Sequence, residues 1–534
     1  MAAIHRSLTR RGLLTQAFGA MASITAIGLI TACGGSAATV SSSSVSSAAA
    51  PATSAALSSA AVSSSSAAAT TASASSSVAA SAATSAAPAA TVAPTAAPAA
   101  TTAPTVAPAA AAPSGGKGVV QPLLRGDPEE VDAWKKIFTD FQAKNPSIKV
   151  DANYTTDNYD DKTLTLTAAG TPPGLWFPAA DTGVKHWAAQ NVIENLDPYI
   201  QRDKFDLSIF YDQYLPYMKF NGHMVALPTD EWPWNVYYNK TLFQKAGLDA
   251  PTTDWNDKTW TWEKFLEVGK ALTQASGGKT TQWGIGDASM SGARFSAMLY
   301  GGDWFPEDSY VTGWIKEFTG NAPEVIQAYQ YLSDLANKYH VSPTAAEQKA
   351  NGGSITKMFE AGQIGMTLNS AGFLETLRRQ TTGVDFGLAA IPMPAAKPRR
   401  TLIWADYWCY FSGVKDPDAA WQLLKYMVTP EAQVLYPLQA GSVPSIKSLA
   451  GEWVKQRQAA NKLGADVLQV AIDAIPVSHV SADNFTVNWP DLGKVIETPM
   501  GNVISGKQDA QTAIQSLTAA AQDIIKKTSA AATG

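Results

Sequence analysis

Residues 221–251 read NGHMVALPTDEWPWNVYYNKTLFQKAGLDAP. Two strand-like runs, Met224–Leu227 and Val236–Tyr238, flank a centre where Asp230-Glu231 meets Trp232-Pro233-Trp234. Side chains alternate along an extended chain, so Asp230 and Glu231 point to opposite faces and do not flank one bond. Tryptophan beside a carboxylate is what a sugar site needs. The flat ring covers the C–H face of a pyranose, and the charged oxygens accept hydrogen bonds from hydroxyls.

A second stretch repeats the chemistry. In Trp404-Ala405-Asp406-Tyr407-Trp408 the alternation puts Trp404, Asp406 and Trp408 on one face. Trp176 follows a Thr-Pro-Pro-Gly-Leu turn, and Trp304 ends the glycine-rich loop Gly301-Gly302-Asp303. These loop and turn tryptophans are candidate ligand contacts. Trp134, Trp187, Trp262 and Trp421 sit on helical faces and are expected in the core.

Around these stretches, Glu129–Asn145 carries apolar residues at helical spacing and stops at Asn145-Pro146, and Ser147–Tyr154 then alternates like a strand. Helices are expected at Trp262–Thr273, Pro323–Tyr339, Ala419–Val428, Ala465–Ile475 and Ala510–Lys527. Strands are expected at Gly365–Leu368, Asp385–Ala390 and Leu402–Phe411. Helices alternating with short strands argue for an α/β class.

Enzyme and cofactor motifs are absent. The histidines after residue 116 are His186, His223, His340 and His479; none sits four residues from another and none pairs with Cys409, so no zinc site is expected. No G-x-S-x-G elbow occurs, and no G-x-G-x-x-G opens a helix after a strand. Ala275-Ser276-Gly277-Gly278-Lys279-Thr280 resembles half a phosphate loop, but Thr273 stands where its first glycine would fall, and it reads as a helix C-cap and turn. No cofactor and no metal is expected.

The N-terminal part follows other rules. His5, Arg6, Arg10 and Arg11 precede an uncharged apolar run from Gly12 to Ala32, the layout of an export signal over residues 1–32. TRRGLL at 9–14 resembles a twin-arginine motif. ITAC at 30–33, followed by Gly34-Gly35, resembles a bacterial lipobox, which implies cleavage before Cys33 and lipidation of its thiol. Residues 34–116 are nearly all Ser, Ala, Thr, Pro, Val and Gly without charge or aromatics. Such a segment cannot bury enough apolar surface to offset ordering entropy and is expected to be a disordered tether. Its root-mean-square span would be on the order of 50 Å.

All sixteen tryptophans lie after residue 116. Of 40 basic residues only Arg6, Arg10 and Arg11 precede that point, leaving 37 against 45 acidic ones, a net charge of −8. With no basic stripe, nucleic acid is not an expected partner. With Cys409 alone, no disulfide framework holds this part, and its length suggests two lobes.

Six stretches, in order, resemble the extracellular solute-binding proteins of bacterial ABC importers, in the sugar-binding cluster that includes maltose-binding protein. They are FQAKNPSIKV, AAGTPPGLW, NVIENLDPYI, the 221–251 stretch with its LP and YYNK cores, MFEAGQIGMTLNSAGFL, and GVKDPDAAWQLLKYMVTPEAQ. The resemblance covers about 117–534. It implies a bilobal periplasmic-binding-protein-like fold, two α/β lobes joined by hinge strands with the ligand cleft between, and a hinge that closes over ligand. Lobe 1 would be about 117–228 and 405–450, and lobe 2 about 233–402 and 451–534. Gly174 stands where the family has Asp after Pro, which shifts the polar role to Asp181. Asn369-Ser370-Ala371-Gly372-Phe373 lacks the Trp that many relatives carry there, so stacking at that wall is expected either to be weaker or to come from Phe373.

The expected function is capture of a mono- or oligosaccharide by a lipid-anchored, extracytoplasmic, monomeric protein that passes it to ABC permease subunits. Trp176, Trp232, Trp234, Trp304, Trp404 and Trp408 would wall the sugar, while Asp181, Glu231, Asn369 and Asp406 would bond its hydroxyls. The rivals are a secreted glycoside hydrolase with two essential carboxylates, a stalked adhesin or lectin that binds without closure, and a binder of glycerol phosphate or polyamine.

Overall fold

The computed structural model describes residues 117–533 except 127, 156–157, 179–182, 291, 293 and 381–382. Cys33, the 1–32 signal, the 34–116 tether and Asp181 lie outside the described residues.

An eleven-stranded sheet organises the rest. Along its main path the strands are Asn153–Thr155, Pro122–Arg125, Leu175–Trp176, Thr401–Tyr410, Leu227–Asn239, Ile364–Ser370, Lys279–Ile285 and Gln274–Ser276. Leu227–Asn239 and Thr401–Tyr410 pair antiparallel in the middle. The first crosses from this pairing into a second set of partners, with Trp234–Tyr238 opposite Met366–Ser370 and Val236–Asn239 opposite Phe386–Ala389. The second crosses the other way: Thr401–Ile403 pairs with Ser478–Val480, and Cys409-Tyr410 with Leu175-Trp176. The crossing pair thus joins two strand groups, one in which Pro122–Arg125 runs parallel to both its neighbours and one in which Lys279–Ile285 runs parallel to Ile364–Ser370, each with its helices an α/β half.

The expected run at 224–227 divides: Met224 belongs to the short strand His223–Met224, paired with Lys219–Phe220, while Leu227 opens a thirteen-residue strand, Leu227–Asn239, that takes in the run expected at 236–238. Pro228 and Pro233 sit inside it although neither can donate to a ladder. Other groups take their carbonyls: Ser445 Oγ donates to Pro228 O at 2.9 Å and Ala371 N to Pro233 O at 2.9 Å. The pairing also shifts between Asp406 and Tyr407, leaving Thr229 unmatched, a bulge beside the first proline.

Elsewhere the periodicities hold with small changes. Helix Pro128–Lys144 buries Trp134, Ile137, Phe138 and Phe141 of the stripe its spacing predicts, with Ala133 beside them, while Val131, expected in that stripe, is only half-buried. The single strand expected at 147–154 is two, Ile148–Val150 and Asn153–Thr155, because each pairs with a different neighbour, Gly118–Val120 and Pro122–Arg125. The 275–280 stretch is corrected: the helix ends at Leu272, and Gly277 and Gly278, with φ of 58° and 77°, form the tip of a hairpin between Gln274–Ser276 and Lys279–Ile285. Two consecutive positive φ angles suit the tight turn that matches strand twist. Trp134, Trp187, Trp262 and Trp421 are buried as expected.

Candidate binding face on the crossing strands

In the register of the crossing pair, Trp232 stands opposite Trp404, Glu231 opposite Ala405, and Asp230 opposite Asp406. Alternation therefore gathers Asp230, Trp232 and Trp234 with Trp404 and Asp406 on one face, and turns Glu231 to the other. Trp232 Nε1 donates to Asp406 Oδ2 at 3.1 Å. Trp234 and Trp404 meet edge to face with ring centroids 6.1 Å apart. Trp232, Trp404 and Asp406 are half-buried. The indole N–H groups of Trp234 and Trp404 and the Oδ2 of Asp230 have no hydrogen-bond partner among the described residues.

Neighbouring segments frame this face. Arg125, exposed at the end of strand Pro122–Arg125, holds its guanidinium 5.1 Å from the Phe177 ring and acts electrostatically on Asp406. A separate recess of about 500 Å³ is lined by Gly126, Val131, Asp132, Lys135 and Tyr154 and by no residue of the crossing strands. From the other half, Gly372 lies against Trp232: a Cβ there would come within 2.6 Å of the indole, so only glycine allows this approach. Arg379 pairs with Glu129 at 2.9 Å, linking the two strand groups.

Burial, and then the charge of Asp406, push the Asp230 carboxyl well above its ordinary range, opposed by the hydrogen bond that Thr229 Oγ1 donates to its Oδ1. Burial also raises Asp406, while Arg125 and the Trp232 N–H pull it down. Each carboxyl of the facing pair therefore holds its proton more tightly than a free carboxyl does. Glu231, without exposed surface, is raised by burial and then by Asp230 and Asp406. Both its oxygens lack a hydrogen-bond partner among the described residues, and it acts on Tyr211 and Tyr214 behind the ribbon.

The remaining sequence candidates lie elsewhere. Trp304 is 1% exposed, packs between Phe318 and Tyr329, and donates its N–H to Arg294 O at 2.7 Å. Trp176 is wholly buried, with its carbonyl facing Cys409 Sγ. Trp408 shares the strand face of Trp404 and Asp406, but the Pro128–Lys144 helix covers it, and its ring meets Trp134 edge-on at 5.2 Å. Asn369 is half-buried at the end of its strand and bonds the next backbone amide, Ser370 N, at 2.9 Å. Phe373 packs against Tyr237 and Phe359 in the core, so the wall expected of it is formed by Gly372 instead.

Sequence reasoning missed Asp230, Arg125 and Gly372. The signal for Asp230 was present: it has the same parity as Trp232, and Glu231 does not. Among the described residues no cluster of three or more His, Cys, Asp or Glu side chains could hold a metal ion, and no helix is long and apolar enough to cross a membrane.

The sequence pattern of the bacterial extracellular solute-binding protein family matches residues 127–434. A binding protein of Brucella abortus (strain 2308) is 22% identical over 394 residues, covering 72% of this chain and 88% of its own. The sn-glycerol-3-phosphate-binding periplasmic protein UgpB of the same organism is 24% identical over 325 residues, covering 58% of this chain and 70% of its own. Among solved structures, the ABC substrate-binding protein Lmo0181 from Listeria monocytogenes in complex with cycloalternan is similar, with a TM-score of 0.64, 22% identity, and coverage of 78% of this chain and 99% of that one. Maltose-bound MalE3 of T. maritima superposes with a TM-score of 0.59 at 20% identity, covering 76% and 99%. At such identities the likeness establishes the fold.

Proposed function

The chain belongs to the bacterial extracellular solute-binding family, the capture subunits of ABC transporters, and from that premise we propose that its solute is a mono- or oligosaccharide held without chemical change. The observation that carries this reading is the Trp232–Asp406 pair beside Trp404. It combines half-buried indole faces, an unpartnered N–H and a carboxyl pair that can both donate and accept. A neutral polyol matches such a surface, because each hydroxyl also both donates and accepts. In this reading Trp232, Trp404 and Asp406 contact the sugar, with Asp230, Trp234 and Asn369 beside them and Asp181 on the facing loop. The two lobes close about the crossing strands, and a permease pair receives the sugar. The protein is exported, cut before Cys33 and held at the membrane through lipid on that thiol, and it acts as a monomer.

Glycerol phosphate is the second reading, favoured by Arg125 beside Asp406 and by the likeness to UgpB. It requires the phosphate to sit near two buried carboxyls, which disfavours it.

Thermal unfolding of the protein with sugars, glycerol phosphates and polyamines at about 1 mM tests both. A ligand at a hundredfold its dissociation constant adds about 2.7 kcal/mol. A shift with one sugar, recovered unhydrolysed, supports the proposal. A shift only with a phosphate or polyamine overturns the sugar, and hydrolysis overturns the absence of catalysis. Retention of a Cys33→Ala variant at the membrane would overturn the anchor.

A further inference from the structure

Helix Gly183–Ala189 follows strand Leu175–Trp176 and belongs with the first strand group. Helix Glu307–Thr312 lies between strands Lys279–Ile285 and Ile364–Ser370, and helix Ala482–Phe485 follows Ser478–Val480, so both belong with the second. The two sides meet closely. Gly183 has a φ of 55°, and a Cβ there would lie 2.4 and 2.5 Å from the carbonyl oxygens of Asp483 and Asn484. Two residues on, Lys185 has no exposed surface. Its Nζ donates to Val311 O at 2.8 Å, near the C-terminal end of the 307–312 helix, and to Lys219 O on its own side. Its methylenes run along Gly313, where φ is 84° and a Cβ would stand 3.1 to 3.2 Å from Lys185 Cβ, Cγ and Cδ. Glycines on both sides thus shape a seat for this side chain.

We infer that Lys185 gates closure of the two lobes: the 183–189 helix can seat on the 307–312 helix only by carrying this ammonium out of water into a pocket whose partners are main-chain carbonyls. The inference rests on the reading that the lobes move about the crossing strands, and it makes Lys185 a positioning residue that need not touch the solute. Carbonyls at a helix C-terminus attract a cation but do not replace its hydration. No carboxylate acts on Lys185 among the described residues, and burial pulls it down to about 7. In an open arrangement it would titrate near the usual lysine value of about 10.4. The closed arrangement therefore binds this proton more weakly. Closure is insensitive to pH below about 7 and becomes more favourable as pH rises above it, on the order of 30-fold between pH 6 and 8.5.

Other charged groups surround the same junction: His186 on the helix itself with Asp491 acting on it, Lys219 beside Lys185, Glu307 paired with Arg400 and His479, Asp308 paired with Lys316, and Asp483 paired with Arg294. Burial lowers His186, and the His479 imidazolium holds Glu307 down at about 2, while Asp303 and Glu307 raise His479 to about 9. A Lys185→Met variant keeps all of these, so subtraction isolates Lys185.

The test is the distance between spin labels on Gln201→Cys and Lys494→Cys in the full chain carrying Cys33→Ser, without solute, at pH 6, 7 and 8.5. The closed-to-open ratio should rise about 30-fold more in the parent than in Lys185→Met. A parent that is open throughout, or an equal slope in both proteins, overturns the inference. If Lys185→Met does not fold, acetylation of the parent at pH 8.5 decides. Lys185 should react at least tenfold more slowly than exposed Lys316, and equal rates contradict the gate. Because no solute is added, failure here leaves the thermal screen for a ligand unaffected.

Discussion

The tryptophans of the crossing strands and those of the second half's interior are the same residue put to different use. Trp262 and Trp304 are enclosed, and their N–H groups donate to the carbonyls of Leu299 and Arg294 at 2.6 and 2.7 Å. Trp232 and Trp404 are only half-buried; one donates to a carboxyl that is itself raised, and the other has no acceptor among the described residues. An indole whose face and N–H are both spent on the protein supplies packing, and one that keeps either in reserve can serve a ligand. Trp176 limits the rule, since its N–H has no partner although its ring is wholly buried. Exposure and an uncommitted N–H must coincide.

The contrast breaks most visibly at the core end. Trp421 is wholly buried and donates to Asp203 at 2.8 Å, so Trp421→Ala should cost about 3–5 kcal/mol in denaturant unfolding. If the variant folds at all, its affinity for solute should be unchanged. Trp232→Ala should do the reverse, costing about 2 kcal/mol of binding, roughly 30-fold in affinity, with a smaller change in unfolding. Titration calorimetry beside a denaturation curve separates the two effects, and a core-like loss of stability in Trp232→Ala would erase the distinction.

Gly372→Ala sharpens it. The added methyl would press on the Trp232 ring at 2.6 Å, and moving the indole off its rotamer costs about 1 kcal/mol, about fivefold in affinity. Unchanged affinity would mean that the position of Trp232 does not matter to the solute.

The smallest effect belongs to Glu231, behind the ribbon. Its folded carboxyl is raised, so the folded state holds the proton more tightly than the unfolded chain does. The associated stability is present below the unfolded value of about 4.3 and is lost as pH rises from there through the folded value. Glu231→Gln should flatten that part of the curve of melting temperature against pH without weakening solute binding. An undiminished slope would place the titration elsewhere.

Much of this organisation was legible in the sequence. The Pro128–Lys144 stripe, the tryptophans on helical faces and the two Trp–carboxylate clusters follow from periodicity, which depends only on neighbours in the chain. What could not be read depends on distant partners. The extension of the 236–238 run back to Leu227 through two prolines needs Ser445 and Ala371 to serve the proline carbonyls. The burial of Trp408 needs a helix nearly three hundred residues earlier in the chain. The choice of Glu231 over Asp230 was a lapse of parity, since alternation alone assigned Asp230 to the face of Trp232. Trp304 looked like a ligand contact because a glycine-rich loop precedes it, and only the packing of Phe318 and Tyr329 shows where its ring goes.

The most direct test of the binding face is the indole N–H spectrum of tryptophan-labelled protein, titrated with the solute that stabilises it in the thermal screen. The signals of Trp232 and Trp404, assigned by substitution, should move with occupancy while those of Trp262 and Trp304 stay in place. Shifts confined to the buried tryptophans, with Trp232 and Trp404 unmoved at saturation, would contradict the assignment of the crossing strands as the site of capture.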